Sequence, residues 1–353
     1  MVKKKVDVIE KKGIVAKKND VAEDVVVEKK AMPIKRKGDV VKLLNEVKAE
    51  MGKIVVGQEK IIHGILRAII CNGHVLVEGV PGVAKTLIVR SVATILGCDM
   101  KRIQFTVDLL PTDITGIMSY SPKTGFEMIK GPVFTNFVLA DEVNRSPPKT
   151  QSALLEAMQE REVTISRQTY ALPDPFFVMA TENPLEVSGV YSLPEAQIDR
   201  FLFKLLISYP DANEEKMVLR KNTTTADFDS YELKAVLSPN RILELQEIVK
   251  GVFTSEAIEE YIIELVAETR KKKDWDFAKY ISYGASPRAS IALYIASKAE
   301  ALMHGRDYVT PEDVKEVVYP VLRHRIILNY EAEAEEITTD KVISHILSSV
   351  NAP

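Results

Sequence analysis

Residues 79–86, with the sequence GVPGVAKT, constrain the fold of this chain more than any other segment. The apolar run 74–78 precedes them and indicates a short buried strand, whereas the periodic apolar run 87–96 follows them and predicts a helix that ends at Gly97. A glycine-containing loop between a strand and a helix, with Lys-Thr at the helix start, is the layout of a phosphate-binding loop. The free N–H groups and the partial positive charge of the helix start would face the anion.

In such a loop each residue type has its own task. Gly79 and Gly82 let the backbone approach phosphate oxygens, Lys85 reaches the β- and γ-phosphates, and the Thr86 hydroxyl binds Mg²⁺. One position departs from the standard pattern, because Ala84 and not glycine precedes the lysine, and alanine disfavours a positive φ. The other loop residues expected at the nucleotide are Val80, Pro81, Val83 and Leu87. The spacing predicts a nucleotide site, with a coincidental loop as the alternative.

A second motif ends in two carboxylates. The apolar run 137–140 suits a strand buried on both faces of a parallel sheet, and Asp141 and Glu142 follow at its carboxyl end, where open α/β sheets bind their ligands. We expect Asp141 to hold Mg²⁺ and Glu142 to polarise the attacking water as a general base. Asn183 follows another buried run, 176–181, where its amide would bond the water or the γ-phosphate. A plain Asn-Pro turn is the alternative for Asn183.

Composition narrows the class of protein. The 353 residues carry a net charge of −3, with 46% hydrophobic and 27% charged residues, which is typical of a soluble globular chain and argues against bulk binding to nucleic acid. The two cysteines, Cys71 and Cys98, fit no metal spacing and favour a reducing, cytoplasmic setting. The lysine-rich start lacks the apolar segment of a secretory signal, and no apolar run approaches the roughly 20 residues that span a bilayer.

The pattern along the chain predicts four regions. Residues 1–38 indicate a basic, disordered tail, with a contact arm for a partner or nucleic acid as the alternative. Residues 39–210 form the nucleotide-binding core, in which hairpins are expected near 118–128 and 162–172. Residues 211–234 are a linker, and residues 235–353 are helical with no strong strand pattern.

The ordered set of motifs resembles the AAA+ ATPases and, within them, the MoxR family. The segments that carry the resemblance are GVPGVAKT (79–86), LLPTDITG (109–116), GPVFTNFVLADEVNR (131–145), ALLEAMQEREVTI (153–165), MATENP (179–184), LPEAQIDRF (193–201) and GASPRA (284–289). The resemblance runs from about residue 40 to the C-terminus. It implies an α/β fold, namely a P-loop αβα core with a parallel sheet and inserted β-hairpins, followed by an all-α lid. Alanine before the lysine is usual in this family, which accounts for Ala84.

The resemblance also implies roles for individual residues. By motif position these are Lys85 and Thr86 in Walker A, Asp141 and Glu142 in Walker B, Asn183 as sensor 1, Arg288 as sensor 2, and Arg200 as an arginine finger supplied to the neighbouring subunit. Arg288 would reach the nucleotide from the lid, with an exposed first-turn arginine as the alternative. Arg145 is the second choice for a contact between subunits. Glu182 departs from the family, where glutamine is commoner.

The function implied is ATP hydrolysis with Mg²⁺ by a homo-oligomer, expected to be a hexameric ring. The family resemblance suggests chaperone-like remodelling, maturation or metal-cofactor insertion of client proteins, often with a von Willebrand factor A domain partner. One alternative is a DNA-dependent motor, although the hairpins mix charges, with Lys123 and Lys130 beside Glu127, so nucleic acid is not expected. The other alternative is a non-catalytic, nucleotide-gated scaffold, against which Glu142 and Arg200 argue.

Overall fold

Strands and helices alternate up to residue 207, and the chain is largely helical beyond it. The computed structural model describes residues 37–80, 82–123, 125–184, 191–221, 228–271 and 277–353. The strands are β1 (Val75–Gly79), β2 (Met100–Gln104), β3 (Gly116–Ser121), β4 (Gly125–Lys130), β5 (Phe137–Asp141), β6 (Glu162–Ile165), β7 (Gln168–Ala171), β8 (Phe177–Glu182), β9 (Phe203–Ile207), β10 (Ile281–Tyr283) and β11 (Ile327–Leu328). The predicted tail up to residue 36, Pro81 of the loop and residues 222–227 of the predicted linker lie outside the described residues.

The helices cover the sheet and build the C-terminal region. They are α1 (Lys37–Met51), α2 (Glu59–Ile70), α3 (Lys85–Ile95), α4 (Pro111–Thr115), α5 (Pro148–Glu160), α6 (Glu195–Ile198), α7 (Ala212–Lys221), α8 (Pro239–Lys250), α9 (Glu256–Glu268), α10 (Pro287–Met303), α11 (Pro311–Leu322), α12 (Tyr330–Ala334) and α13 (Thr339–Ser349). Within the described part of the chain, no helix is both long and apolar enough to cross a membrane.

Five strands form a parallel sheet in the order β2-β5-β8-β1-β9. Alternate side chains of its central strands enter two separate apolar clusters, because successive residues of a strand point to opposite faces. Val75 and Val77 of β1 pack with α1, α2, α3 and the C-terminal helices, whereas Leu76 packs with α5 on the other face. Burial on both faces explains the uninterrupted apolar runs of β1 and β5 and confirms the αβα core.

Two antiparallel hairpins are inserted into this core, as predicted. β3 pairs with β4, and β6 pairs with β7. On the first hairpin Tyr120 pairs with Phe126, their ring centroids are 5.1 Å apart, and both side chains are exposed. Met118 and Met128 lie on the same face and pack against the α5 side of the core. The hairpin therefore rests on the core near its base and presents aromatic side chains near its tip.

The C-terminal region is helical but contains one short sheet that the sequence pattern missed. β10 and β11 pair antiparallel, with three and two residues respectively. Strands this short show no apolar alternation, which explains the miss. The helices α8, α9, α10, α11 and α13 share an apolar cluster with α1, α2 and α3. The helical region is thus packed directly onto the core helices on one face of the sheet.

Candidate functional site

The predicted phosphate loop joins the carboxyl end of β1 to α3 through a strained turn. A Cβ added at Gly79 would lie 2.6 Å from the carbonyl oxygen of Ile207, so only glycine fits beside β9. Gly82 and Ala84 have φ values of 83° and 59°, in the left-handed region. For a non-glycine residue this costs roughly 1–3 kcal/mol, and such strain persists where the surrounding structure imposes it. The turn leaves the first N–H groups of α3 without helical partners beside the loop.

Lys85, the first residue of α3, lies between the ends of two neighbouring strands. Its Nζ donates to the carbonyl oxygen of Gly79 at 2.5 Å and to that of Glu182 at 3.4 Å. Burial lowers the pKa of Lys85, and the carboxylates of Asp141, Glu142 and Glu78 oppose that change. The ammonium group is therefore held beside the loop, where it interacts electrostatically with both predicted Walker B carboxylates.

Asp141 ends β5 with both carboxylate oxygens engaged. Arg102 on β2 donates to Oδ2 from Nε at 3.1 Å and from Nη2 at 2.6 Å, and the Thr181 hydroxyl donates to Oδ1 at 2.6 Å. A carboxylate that attracts a guanidinium in this way also suits Mg²⁺, which prefers oxygen ligands and binds through one or two carboxylates plus substrate phosphates. Within the described residues no group of three or more His, Cys, Asp and Glu could hold a metal alone. The predicted pair Asp141 and Thr86 therefore supplies oxygen atoms of the kind that Mg²⁺ binds, but too few to hold the ion without oxygen atoms from a nucleotide.

Glu142 follows in a left-handed conformation, with φ at 56°. Its backbone N–H donates to the Thr181 hydroxyl at 2.9 Å. Its Oε2 accepts from Gln104 Nε2 at 2.7 Å and from Arg145 Nη1 at 3.0 Å. The conformation turns Glu142 away from the strand direction, and two donors hold its carboxylate. Arg145, the second choice for a contact between subunits, is here bound to the glutamate of its own chain.

Asn183 and Glu182 lie at the carboxyl end of β8, between β5 and β1. Asn183 is buried directly after the strand, at the edge of the sheet where Lys85 and Asp141 also lie. Burial raises the pKa of Glu182, Lys204 opposes that rise and Glu78 adds to it. Lys204 forms an ion pair with Glu78 at 2.6 Å. The unusual glutamate is therefore one of two carboxylates that share a lysine beside the loop.

Arg200 and Arg288 lie together at the opposite end of the strands. Both line a cavity of about 340 Å³ that also contains Gly73 and His74, which precede β1. Arg200 is exposed and donates to the carbonyl oxygen of Leu155 at 3.3 Å. Arg288, at the start of α10, is 51% exposed and lies 3.6 Å from the Asp199 carboxylate. The structure thus brings the two predicted arginines into one cluster.

This arrangement differs from the expectation that Arg288 reaches the nucleotide of its own subunit from the lid. Leu202 bonds to His74 at the amino end of the paired strands, whereas Gly79 pairs with Ile207 at the carboxyl end. Five strand residues, roughly 16 Å at 3.3 Å per residue, separate the two ends. The reason is that Asp199, which precedes β9, anchors the start of α10. Arg288 is therefore placed with Arg200, away from the loop of its own chain.

The sequence analysis did not identify the residues that form hydrogen bonds and ion pairs with the predicted site residues. At the carboxyl end these are Arg102 and Gln104, which alternate on β2 so that both reach the neighbouring β5. Two polar residues spaced by two in a predicted strand were the available signal. At the amino end they are Asp199 and Arg325, which lie 126 residues apart in sequence and meet at 2.7 Å. No local pattern relates residues so distant in the chain.

Comparison with known proteins gives consistent matches. Residues 74–203 match the ATPase family associated with various cellular activities (AAA), and residues 276–346 match the AAA lid domain. The chain is 47% identical to Chaperone MoxR1 of Mycobacterium tuberculosis over 86% of this chain and 81% of that protein. It is 46% identical to the uncharacterized protein YeaC of Bacillus subtilis over 89% of this chain and 96% of that protein. A crystal structure of a proposed ATPase from Cytophaga hutchinsonii superposes with a TM-score of 0.83 at 50% identity, covering 90% of this chain and 97% of that one.

Proposed function

The chain belongs to the MoxR family of AAA+ ATPases, and from this premise we propose that it hydrolyses ATP to ADP and phosphate with Mg²⁺. One observation carries the proposal. Lys85, Asp141 and Asn183 lie at or just beyond the carboxyl ends of three adjacent strands, β1, β5 and β8, so an ammonium, a carboxylate and an amide share one edge of the sheet. That combination suits phosphoryl transfer, which depends on positioning and charge neutralisation more than on covalent chemistry.

Each residue then has a distinct task. The loop from Gly79 to Leu87 surrounds the phosphates and binds them through its backbone N–H groups, of which Pro81 has none. Lys85 turns from the carbonyl oxygens it contacts towards the β- and γ-phosphates. Thr86 and Asp141 hold Mg²⁺, which neutralises phosphate charge when it is bound. Glu142 accepts the proton of the attacking water once Gln104 and Arg145 release its carboxylate. Asn183 orients that water or the γ-phosphate.

The arginines complete the site of a neighbouring subunit. Arg200 and Arg288 cannot contact the loop of their own chain in the present arrangement, but both present exposed guanidinium groups at the other end of the sheet. We therefore assign both to the γ-phosphate of the next copy in a homo-oligomeric ring, with a hexamer as the expected size. Arg145 is less suited to this task because it binds Glu142 of its own chain.

The work driven by hydrolysis is the remodelling or maturation of a client protein in the cytoplasm. Chaperone MoxR1, nearly half identical to this chain, carries that class of function in its name. The exposed pair Tyr120 and Phe126, with Ile117 and Ile129 also exposed on β3 and β4, supports an apolar contact with a polypeptide. A von Willebrand factor A domain protein and metal-cofactor insertion are the partner and the outcome that the family suggests.

The proposal is tested by mixing two inactive variants. Arg200→Ala keeps the phosphate loop and Glu142 but lacks the predicted finger, and Glu142→Gln keeps the finger but lacks the base. Each variant alone should bind ATP and lose roughly 10³-fold in kcat, since arginine fingers are worth about 10³–10⁵ in rate and a general base about 10²–10⁴. Mixed oligomers should regain a measurable part of the activity, because an Arg200→Ala site then lies beside a subunit that supplies the arginine.

Arg145→Ala is the matched control, since it removes an exposed arginine at the other end of the sheet. Arg145→Ala alone should keep most of the activity, because its loop, Glu142 and Arg200 are intact, and its mixture with Glu142→Gln should be no more active than its own share of subunits. ATPase activity is read as phosphate release at a protein concentration that keeps the oligomer assembled. If Arg200→Ala and Glu142→Gln fail to complement each other in a confirmed mixed oligomer, the assignment of Arg200 to the neighbouring site is wrong.

A further inference from the structure

The arginine cluster at the amino end of the strands is organised around one carboxylate. The lining of its cavity, in the part of the chain that the structure describes, contains Arg161, Arg200, Arg288 and Arg325 but only a single acidic residue, Asp199. Asp199 directly precedes Arg200 and caps the carboxyl end of α6. Like charges repel one another at close range, and Asp199 offsets this repulsion because it pairs with both Arg288 and Arg325. Arg161 pairs instead with Asp174, at 3.7 Å.

Asp199 joins three elements through its side chain. Its Oδ1 accepts from Arg325 Nε at 2.7 Å, and its Oδ2 accepts from the Ser286 hydroxyl at 3.0 Å and lies 3.6 Å from Arg288 Nη1. Ser286 is also the N-cap of α10, where its hydroxyl accepts from the backbone N–H of Arg288 at 3.2 Å. The carboxylate on the core therefore fixes both the start of the lid helix and the arginine in its first turn.

Arg325 fixes the other arginine through the backbone. Its side chain is 3% exposed, and it donates to the carbonyl oxygens of Asp199 at 3.1 Å, Phe201 at 2.7 Å and Leu202 at 3.1 Å. These carbonyls flank Arg200 on both sides. The main chain that carries Arg200 is thus held by a buried guanidinium, while the Arg200 side chain itself remains exposed.

We propose that Asp199 is the positioning residue that holds Arg200 of the core and Arg288 of the lid in one fixed arrangement for the nucleotide of the neighbouring subunit. The inference rests on the proposed function, because it assigns a task to residues that act at that shared site. Asp199 contacts neither its own phosphate loop nor the reacting atoms. It acts through the two arginines, so its loss should impair turnover and leave nucleotide binding intact.

Asp199→Asn tests this role, because asparagine keeps the shape of the side chain and removes its charge. ATP affinity, measured with a fluorescent analogue, should stay within about twofold of the wild type, since the loop lies at the other end of the strands. The kcat should fall by roughly 10², the loss that a displacement of about 1 Å in a reacting group produces. A fall in ATP affinity equal to the fall in kcat would overturn the proposal.

Asp340→Asn is the matched control. Arg323 Nε and Nη2 donate to Asp340, both at 2.7 Å, and its Nη1 donates to the carbonyl oxygen of Lys204, so this pair also ties the lid to β9. The substitution is again Asp→Asn, here at the partner of Arg323, and the structure records no contact of Asp340 with Arg200 or Arg288. Its kcat should remain within about twofold of the wild type. Equal losses in both variants would mean that any loosened lid lowers turnover, and would overturn the proposal.

Complementation separates this inference from the proposed function. Asp199→Asn mixed with Glu142→Gln should regain activity, because the first variant has an intact phosphate loop and the second has correctly held arginines. If Arg200→Ala is rescued by Glu142→Gln but Asp199→Asn is not, then Asp199 serves the fold of its own subunit and the inference is wrong while the proposed function stands. If neither is rescued, the shared site itself is wrong.

Ser286→Ala keeps the inference testable where Asp199→Asn does not fold or assemble. It removes only the hydroxyl between the Asp199 carboxylate and α10. We expect a smaller loss of kcat, about three- to tenfold, with unchanged ATP affinity, because the variant loses the hydrogen bond to the carboxylate and the cap of α10 but keeps the Asp199 charge beside Arg288 and Arg325. Ser297→Ala, a buried hydroxyl that bonds within the same helix, should leave kcat unchanged. Equal kcat values for the two serine variants would contradict the proposal.

Discussion

The two ends of the parallel sheet are built as opposites. At the carboxyl end, carboxylates are the central groups and cations or amides hold them, as Arg102 holds Asp141 and Gln104 holds Glu142. At the amino end, arginines are the central groups and the Asp199 carboxylate holds them. The central groups of the two ends thus have opposite charge, which is the pattern expected if each end supplies one half of a site that two subunits share.

The ends also differ in what they require from the rest of the chain. The loop end is built from consecutive turns after β1, β5 and β8, including the left-handed residues Ala84 and Glu142. The arginine end needs contacts between the core and α10, through Ser286, and between the core and the end of α11, through Arg325. Nucleotide binding should therefore depend on one region alone, whereas hydrolysis should depend on how the lid is docked.

Lys85→Ala should remove ATP binding at the carboxyl end of the sheet and produce the largest of the expected effects. We expect ATP affinity to fall by at least 10², because the ammonium beside Gly79 and Glu182 is the cation that the buried phosphates would meet. Equilibrium binding of a fluorescent ATP analogue measures the change. Arg200→Ala serves as the control from the other end of the sheet and should bind ATP as the wild type does. Equal losses of binding in both variants would contradict the separation of the two ends.

The sequence could predict the loop end well because its information is local. Continuous apolar runs predicted β1, β5 and β8, and Lys85, Asp141 and Asn183 each lie within about six residues of the end of one of these runs. The hairpins were predicted for the same reason, since their turns and alternating strands lie within about ten residues of each other. Their roles in the reaction stay predictions until the variants are measured.

The arginine end could be predicted only in part because its arrangement is non-local. Arg200 and Arg288 were identified from motifs, but the placement of Arg288 depends on Asp199, 89 residues earlier in the chain. The pairing of Arg102 with Asp141 likewise depends on the register of β2 against β5. No periodic pattern specifies which strand or helix lies opposite another. These contacts follow from the order of the strands and the docking of α10, both of which only the structure provides.

Acid should lower the stability of the fold through His74, which lies beneath the arginine end. His74 is buried beneath it, where its Nε2 lies 3.0 Å from the Met158 carbonyl oxygen and its Nδ1 accepts from the backbone N–H of Val178 at 3.0 Å. Burial lowers its pKa to about 3, and the nearby Arg161 adds to that change. The unfolded chain takes up a proton on this residue near pH 6.5 and the folded chain does not, so stability falls as pH decreases from about 6.5 towards 3.

His74→Gln should remove the contribution of this one titrating group to the pH dependence of the free energy of unfolding. Between pH 6 and 4 the unfolding free energy of the wild type should fall more steeply than that of the variant, by up to about 1.4 kcal/mol per pH unit. Urea unfolding at a series of pH values gives the two slopes, and the comparison of slopes is independent of any constant loss of stability in the variant. Parallel lines across this range would show that His74 does not carry the acid sensitivity.

The smallest expected effect concerns the Arg102 guanidinium, which pairs with Asp141 at the carboxyl end of the sheet. Arg102 is 49% exposed and forms an ion pair with Asp141, so in the proposed site it would compete with Mg²⁺ for the same carboxylate. Exposed ion pairs are worth about 0.2–1 kcal/mol, so Arg102→Gln should lower the Mg²⁺ concentration needed for half-maximal binding of an ATP analogue by about 1.4- to fivefold. Lys101→Gln removes an equal charge from the next residue of β2, whose side chain points to the opposite face, and should leave the midpoint unchanged. The shift should also shrink as salt screens the pair. An unchanged or higher midpoint for Arg102→Gln would mean that Arg102 supports the magnesium site and does not compete for it, and the charge opposition between the two ends would then be incomplete at Asp141.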